Sequence, residues 1–237
     1  MTAFSHPSAL TRRLSCLVVM LLAACQSAPS RFYLLNSKAG PQSDAAATVA
    51  SSVLHRAQYG LPLGPARSAG APAVGVAVSV PEYLDRLDIV QRSGANELRP
   101  VDDAQWGESL SVAATRVLAE NLTALLPSFD IIMLPARTHR QLDYEVDVDL
   151  TRFESDLAGS SVAAGRWSVT DAAGREIAGG HLSRRDQAGG AGCQAMAAAM
   201  SRNLMGLSGD IAAAVEAVSR RKESAPPSRV TRGDPRQ

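Results

Sequence analysis

The chain has 237 residues, a formal net charge of +1, 46% hydrophobic residues and only 4% aromatic ones. That balance offers no basic surplus for nucleic acid and no polybasic block for anionic lipid, and so few aromatics argue against base-stacking platforms. The length suits one domain with an adequate core, alone or with unstructured arms.

At the N-terminus, Arg12 and Arg13 precede an apolar run, Leu14 to Leu22, too short to span a bilayer, which takes ~20 residues. A positive start, a short apolar core and small residues after it make a secretory signal. Leu22-Ala23-Ala24-Cys25 fits the bacterial lipobox at all four positions. Residues 1–24 are therefore expected to be removed, and Cys25 to begin the mature chain with acyl chains on its thiol and amine. An ordinary signal cut after Ala24 is the lesser alternative. Each buried CH₂ contributes ~0.8 kcal/mol, so several acyl chains hold a protein on a membrane almost irreversibly. Gln26 stands where an Asp commonly retains such proteins at the inner membrane, which points to the outer membrane and its periplasmic face. With Cys16 removed and Cys25 acylated, Cys193 is left alone of the three cysteines. No intrachain disulfide is then available, and Cys193 reads as a small apolar helix residue.

"RFYLL" (Arg31 to Leu35) is aromatic and β-prone, and is expected to add a short strand. From Asn36 to Ala73 the chain is rich in Ala, Ser, Gly and Pro, a flexible tether or a long insertion. The folded body is expected over 74–218, with a disordered tail at 219–237. "VGVAVSV" (Val74 to Val80) is a strand stopped by Pro81, and "PEYLDR" one helical turn. Leu87 to Arg92 and Glu97 to Val101 read as a hairpin around Ser-Gly-Ala-Asn. Asp102 or Asp103 is then expected to cap a helix. Its apolar face would carry Trp106, Leu110, Ala114, Val117, Leu122 and Leu125, and its wet face Glu108, Ser111, Thr115 and Glu120.

"FDIIMLP" (Phe129 to Pro135) has the composition of a buried strand. "LDYEVDVDL" alternates without fault, with Leu142, Tyr144, Val146, Val148 and Leu150 on one face and Asp143, Glu145, Asp147 and Asp149 on the other. A turn near residue 158 would pair Leu150 with Trp167, Val148 with Val169, Thr151 with Arg166 and Asp147 with Thr170. Phe153 then falls on the polar side, which calls for a bulge or the strand end. "DAAG" turns the chain into a further strand, Arg175 to Leu182. Met196, Met200, Leu204, Leu207, Ile211, Val215 and Val218 mark a last helix, interrupted by Gly206 and Gly209. The order argues for an α+β two-layer domain, a mainly antiparallel sheet with two long helices packed on one face and the acidic ladder on the open face.

No chemical motif stands out. His55, His139 and His181 lie far apart, and there is no H-E-x-x-H, G-x-S-x-G, paired C-x-x-C or Walker lysine. No cofactor and no metal site is expected. The acidic ladder projects in parallel at spacings of ~7 Å and cannot wrap one ion; a solvated face is the simpler account, with a face for a basic partner as the other. "AGGAGC" (Ala188 to Cys193) lacks the residues that would make it a phosphate loop.

"FYLL", "VPEYLDRLDIVQRSGANELRPVDDAQWGESL", "RVLAENLTALLP" and "VDVDLTRFESD…GRWSVTDAAGRE" resemble the ABC-type transport auxiliary lipoprotein family, also called PqiC/YmbA-like. The resemblance covers Arg31 to Val218 apart from the 36–73 stretch, which is longer than usual. It implies an outer-membrane lipoprotein facing the periplasm, beside an MCE-domain protein and an inner-membrane permease or PqiA-like protein. Such systems move lipids or other apolar molecules between membranes. Self-association is left open. Such a subunit needs an anchor, a flexible lead and a docking surface rather than a catalytic group. Tyr83, Arg86, Arg92 and Arg99 around the first hairpin are the candidate docking residues, since Tyr and Arg are favoured interface anchors. An equally weighted alternative is that these arginines only pair with Glu82, Asp85, Asp88 and Glu97. A structural lipoprotein of another envelope or secretion assembly, or a tethered enzyme, are the rival functions.

Overall fold

The computed structural model describes residues 29–37, 70–136 and 140–224; Cys25, the stretch 38–69, His55, His139 and the chain after 224 lie outside the described residues. Among the described residues eight strands form one sheet: β1 (Arg31–Tyr33), β2 (Ala73–Ser79), β3 (Asp88–Gly94), β4 (Glu97–Trp106), β5 (Asp130–Met133), β6 (Tyr144–Asp156), β7 (Ser160–Asp171) and β8 (Glu176–Gln187). Two helices among these residues, α1 (Leu110–Leu125) and α2 (Cys193–Ser224), pack together against one side of it.

The alternating strand β6 organises the sheet. Along one edge it pairs antiparallel with β7 over its whole length, and β8 continues that hairpin. Its other edge is divided. The first half pairs parallel with β2, ending at Ser79 opposite Asp149, and the last residues pair parallel with β3, Gln91 opposite Ser155. β5 flanks β2, and β4 then β1 flank β3. The long ladders are thus antiparallel, while four shorter pairings are parallel, so the sheet is mixed. The turn after Pro81 lies between β2 and β3 in the chain, with Leu84 buried and its N–H bonded back to the Pro81 carbonyl at 2.8 Å. The α+β two-layer expectation holds. Tyr144, Val146, Val148 and Leu150 are buried beneath the helices, and Asp147 and Asp149 are exposed on the other face.

Four local expectations are corrected. Asp102 and Asp103 cap no helix, because β4 continues through both to Trp106. The register jumps between Asp88–Gln105 and Val90–Pro100, and Asp103, at φ 55°, sits in that irregularity; Asp tolerates this region better than most residues. Trp106 is consequently a strand residue, opposite Tyr33 of β1 and donating its N–H to Leu87. The helix begins one residue after Ser109, whose side chain makes no cap bond. Asp85 supplies the cap from the 81–86 turn, accepting the Ser111 N–H at 3.0 Å and the Ser111 hydroxyl at 2.9 Å. A carboxylate there also meets the positive end of the helix dipole.

Thr115, expected on the wet face, is buried. Its hydroxyl accepts the Val78 N–H at 3.1 Å and donates to the Ser111 carbonyl at 2.8 Å, which fastens α1 to β2. The β6–β7 register differs by two residues from the expected one: Trp167 stands opposite Val148, Val169 opposite Val146, Arg166 opposite Asp149 and Thr170 opposite Glu145. One residue of the shift is set at the turn, where Ser155 pairs with Ser161, and the other at a bulge between Leu150 and Arg152, which absorbs Thr151 and returns Phe153 to the core with no exposure. Gly165 permits that close approach, since a Cβ there would stand 2.1 Å from the Asp149 carbonyl oxygen. Finally, α2 runs through Gly206 and Gly209 as one helix to Ser224; the Arg184 guanidinium lies where a Gly206 Cβ would be. All seven apolar residues marked for that helix are buried.

The N-terminal segment is part of the body. β1 pairs parallel with the end of β4, Leu35 is fully buried, and the Asn36 N–H donates to the Ser201 hydroxyl at 3.1 Å. Arg116 of α1 donates to the Leu35 carbonyl at 2.9 Å. Five residues, Gln26 to Ser30, separate Cys25 from β1 in the sequence.

Trp167→Ala is expected to cost ~3–5 kcal/mol in urea unfolding, because the ring lies buried opposite Val148 and against Gly180. A loss below about 1 kcal/mol would place it on the surface. Gly165→Ala deletes no contact, yet should destabilise by at least ~1 kcal/mol through the clash at the bulge.

Candidate functional site

The structure brings two of the four candidate docking residues together around a residue that sequence reasoning missed. Glu154 follows the bulge on β6, and its side chain is 1% accessible. Arg92 of β3 grips it with both nitrogens, Nε to Oε1 at 2.6 Å and Nη2 to Oε2 at 3.0 Å. Arg152 donates to Oε1 at 3.1 and 2.9 Å, and the Tyr83 hydroxyl reaches Oε2 at 3.4 Å. Arg92 also donates to the carbonyls of Gly94 and Ala95 in its own hairpin turn. The cluster ties the 81–86 turn and the β3–β4 hairpin to the central strand.

Its electrostatics follow from that geometry. Burial alone would push the Glu154 carboxyl up, but hydrogen bonds and charge from Arg92 and Arg152 outweigh it and hold the carboxyl below its ordinary value. The Glu154 hydrogen bond raises the Arg92 guanidinium further. Burial, then the Glu154 charge, raises the Tyr83 phenol. All three groups keep their usual ionisation near neutral pH.

Arg86 and Arg99 stand apart from this cluster. Arg86 pairs with Asp88 at 2.5 Å and Arg99 with Glu97 at 3.0 Å, each two residues away and each roughly half exposed or more. These are the local pairs that the alternative reading anticipated, and both arginines face solvent. Asp85 serves α1 and pairs with none of them. The only sequence signal for Glu154 was the broken alternation at Phe153; two of its partners, Arg92 and Tyr83, come from 62 and 71 residues earlier, which spacing cannot show.

The rest of the surface offers little chemistry. Along the acidic ladder Asp143 accepts the Ala73 N–H and Asp149 the Ser79 hydroxyl. Among the described residues no group of three His, Cys, Asp or Glu is placed to hold a metal, and no helix is long and apolar enough to cross a membrane. His181 is exposed on β8, and Cys193 is buried, its thiol pushed up by that burial. An open groove of about 500 Å³ lies at the end of α2, with Tyr144, Ile177 and Val218 in its lining and Arg175, Arg221 and Lys222 beside them. Arg175 is bound to Asp171 at 2.7 Å, and Lys222 lies 5.6 Å from the Tyr144 ring centre.

Comparison with known proteins places these features in context. The family model for ABC-type transport auxiliary lipoprotein components matches residues 60–212. A crystal structure from Xanthomonas campestris, a DUF330 protein, is 19% identical with a TM-score of 0.55, over 83% of this chain and 100% of that one. The crystal structure of an uncharacterized protein is 15% identical with a TM-score of 0.58, over 79% and 99% respectively. At such identities the likeness is one of fold. No curated protein matches the chain.

Arg92→Glu is expected to cost ~3–5 kcal/mol, because it sets a second carboxylate against a buried one. Arg86→Glu with Arg99→Glu should cost less than about 1 kcal/mol, as exposed pairs do. Equal losses in denaturant unfolding would contradict the assigned burial. The lowered Glu154 carboxyl also sets a pH dependence. Its stabilisation is complete above the ordinary glutamate value of about 4.3 and is lost as pH falls through the lowered folded value. Glu154→Gln should therefore be less stable than the parent at pH 7, with the gap closing toward pH 2. A constant gap would mean the carboxylate charge plays no part.

Proposed function

The chain belongs to the family of ABC-type transport auxiliary lipoprotein components, and from that premise we propose that it is the outer-membrane, periplasm-facing subunit of an MCE-type system moving lipids or other apolar molecules between membranes. It works by docking to its partners, an MCE-domain periplasmic protein and through it an inner-membrane permease or PqiA-like protein, and it carries out no catalysis. Cys25 is its lipid anchor.

The observation that carries this reading is the pinned hairpin. A docking surface must hold its shape before the partner arrives, since ordering it on contact costs free energy. The Glu154 cluster fixes the base of the hairpin and its turn, while Arg86 and Arg99 stay accessible and Tyr83 keeps 42% of its surface exposed. Arg92, proposed from sequence as a contact, supports the platform, and the contacts fall to Tyr83, Arg86 and Arg99. Their exposed charge gives specificity and a fast encounter with an acidic surface.

Affinity capture of the mature protein from detergent-solubilised envelope should retain an MCE-domain protein, and Arg86→Glu with Arg99→Glu should lose it while the domain stays folded. Capture that survives the double reversal would remove the hairpin from the interface. Cys25→Ser should leave the melting temperature unchanged and shift the protein out of the membrane fraction; continued membrane residence would contradict the anchor.

A further inference from the structure

β1 carries two large apolar side chains that the core does not use. Tyr33 packs against the core and Leu35 is fully buried, whereas Phe32 and Leu34, on the alternate positions, are 66% and 44% exposed. Phe32 shares a row with Gln105 and Asp88 on the outward face of the sheet, and Arg31 beside it is exposed. β1 pairs with β4 alone, so it is also a sheet edge.

We propose that this outward face of β1 rests on the lipid surface and fixes the orientation of the domain there. The inference rests on acylation of Cys25. With only Gln26 to Ser30 between that cysteine and β1, the docked strand stays within about 20 Å of the bilayer. A Phe and a Leu held exposed at that distance meet lipid before any other apolar material. Phe and Leu side chains insert readily at the boundary between headgroups and acyl chains. A single flexible attachment would leave the body free to tumble; a second contact on a rigid strand removes that freedom. The hairpin tip at Ala95 and Asn96 lies at the other end of β4 from β1, a strand of ten residues and so up to about 30 Å long. Seating β1 on the membrane therefore holds the hairpin tip up to about 30 Å from that contact.

The test uses the full lipidated protein in phosphatidylethanolamine–phosphatidylglycerol vesicles, with and without lipids brominated along the acyl chain. Phe32→Trp places a reporter on the proposed contact. Ala213→Trp places one on the exposed side of α2, in the helix layer on the opposite side of the sheet. Trp106 and Trp167 are buried in both variants, and their signal is subtracted using the parent. The Phe32→Trp emission is expected to shift to the blue and fall roughly twofold with brominated lipid, while Ala213→Trp is unaffected. If the protein floats with the vesicles but Phe32→Trp is not quenched, the β1 contact is wrong and the anchor stands. Equal quenching at both positions would also overturn it, since the domain would then have no fixed orientation. If the protein does not float at all, acylation of Cys25 fails and takes this contact with it.

Discussion

Arg116 projects from α1 with only 8% of its side chain accessible, and nearly every donor it carries is used. Glu108 takes Nε and Nη2 at 2.9 and 2.7 Å, Glu120 takes Nη1 at 3.1 Å, and the Leu35 carbonyl takes Nη2 at 2.9 Å. Burial by itself would lower the guanidinium, but the two carboxylates raise it above its ordinary value. Burying a charge costs several kcal/mol unless it is paired and hydrogen-bonded, and here two carboxylates and a carbonyl meet four of the five donors. The cluster is therefore an all-or-none fastening. It joins α1 to the segment that follows β1, and with it the whole N-terminal strand to the domain.

That fastening makes the N-terminal segment part of the domain: β1 pairs with β4, Leu35 is buried and the Asn36 N–H is bound to Ser201. On the other side of the sheet, Glu154 plays the reciprocal part, one buried acid shared by two arginines where β6 passes from pairing with β2 to pairing with β3. The two clusters hold strands whose pairings are short. β1 has three residues, and β3 meets β6 through two residue pairs.

The sequence was most legible where one periodicity governed a whole element. The alternation in β6 and the seven apolar residues of α2 predicted their buried faces correctly, and the Ser-Gly-Ala-Asn turn located the first hairpin. The β6–β7 register was not legible, because a slip of two residues leaves every side chain on its own face and apolar still meets apolar. Trp106 fitted the helical spacing of Leu110 and Ala114, but pairing with Tyr33 and Leu87 decided for a strand. The helix cap was sought in the adjacent Asp102 or Asp103, whereas Asp85 arrives from a turn more than twenty residues earlier. The candidate site was half legible. Tyr and Arg marked the hairpin, but only the fold separates the supporting Arg92 from the exposed Arg86 and Arg99. That the segment around β1 belongs to the body depended on Leu35 and Arg116, eighty-one residues apart.

The central claim is that the N-terminal segment is a docked element of the domain. Native-state hydrogen exchange on the mature protein tests it directly at two amides, those of Asn36, bound to Ser201, and Gly107, bound to the Tyr33 carbonyl at 2.9 Å. Both are expected to be protected to nearly the level of core amides in β6. Exchange at the free-chain rate at these two sites, with β6 protected, would mean that β1 frays and that the segment is not docked.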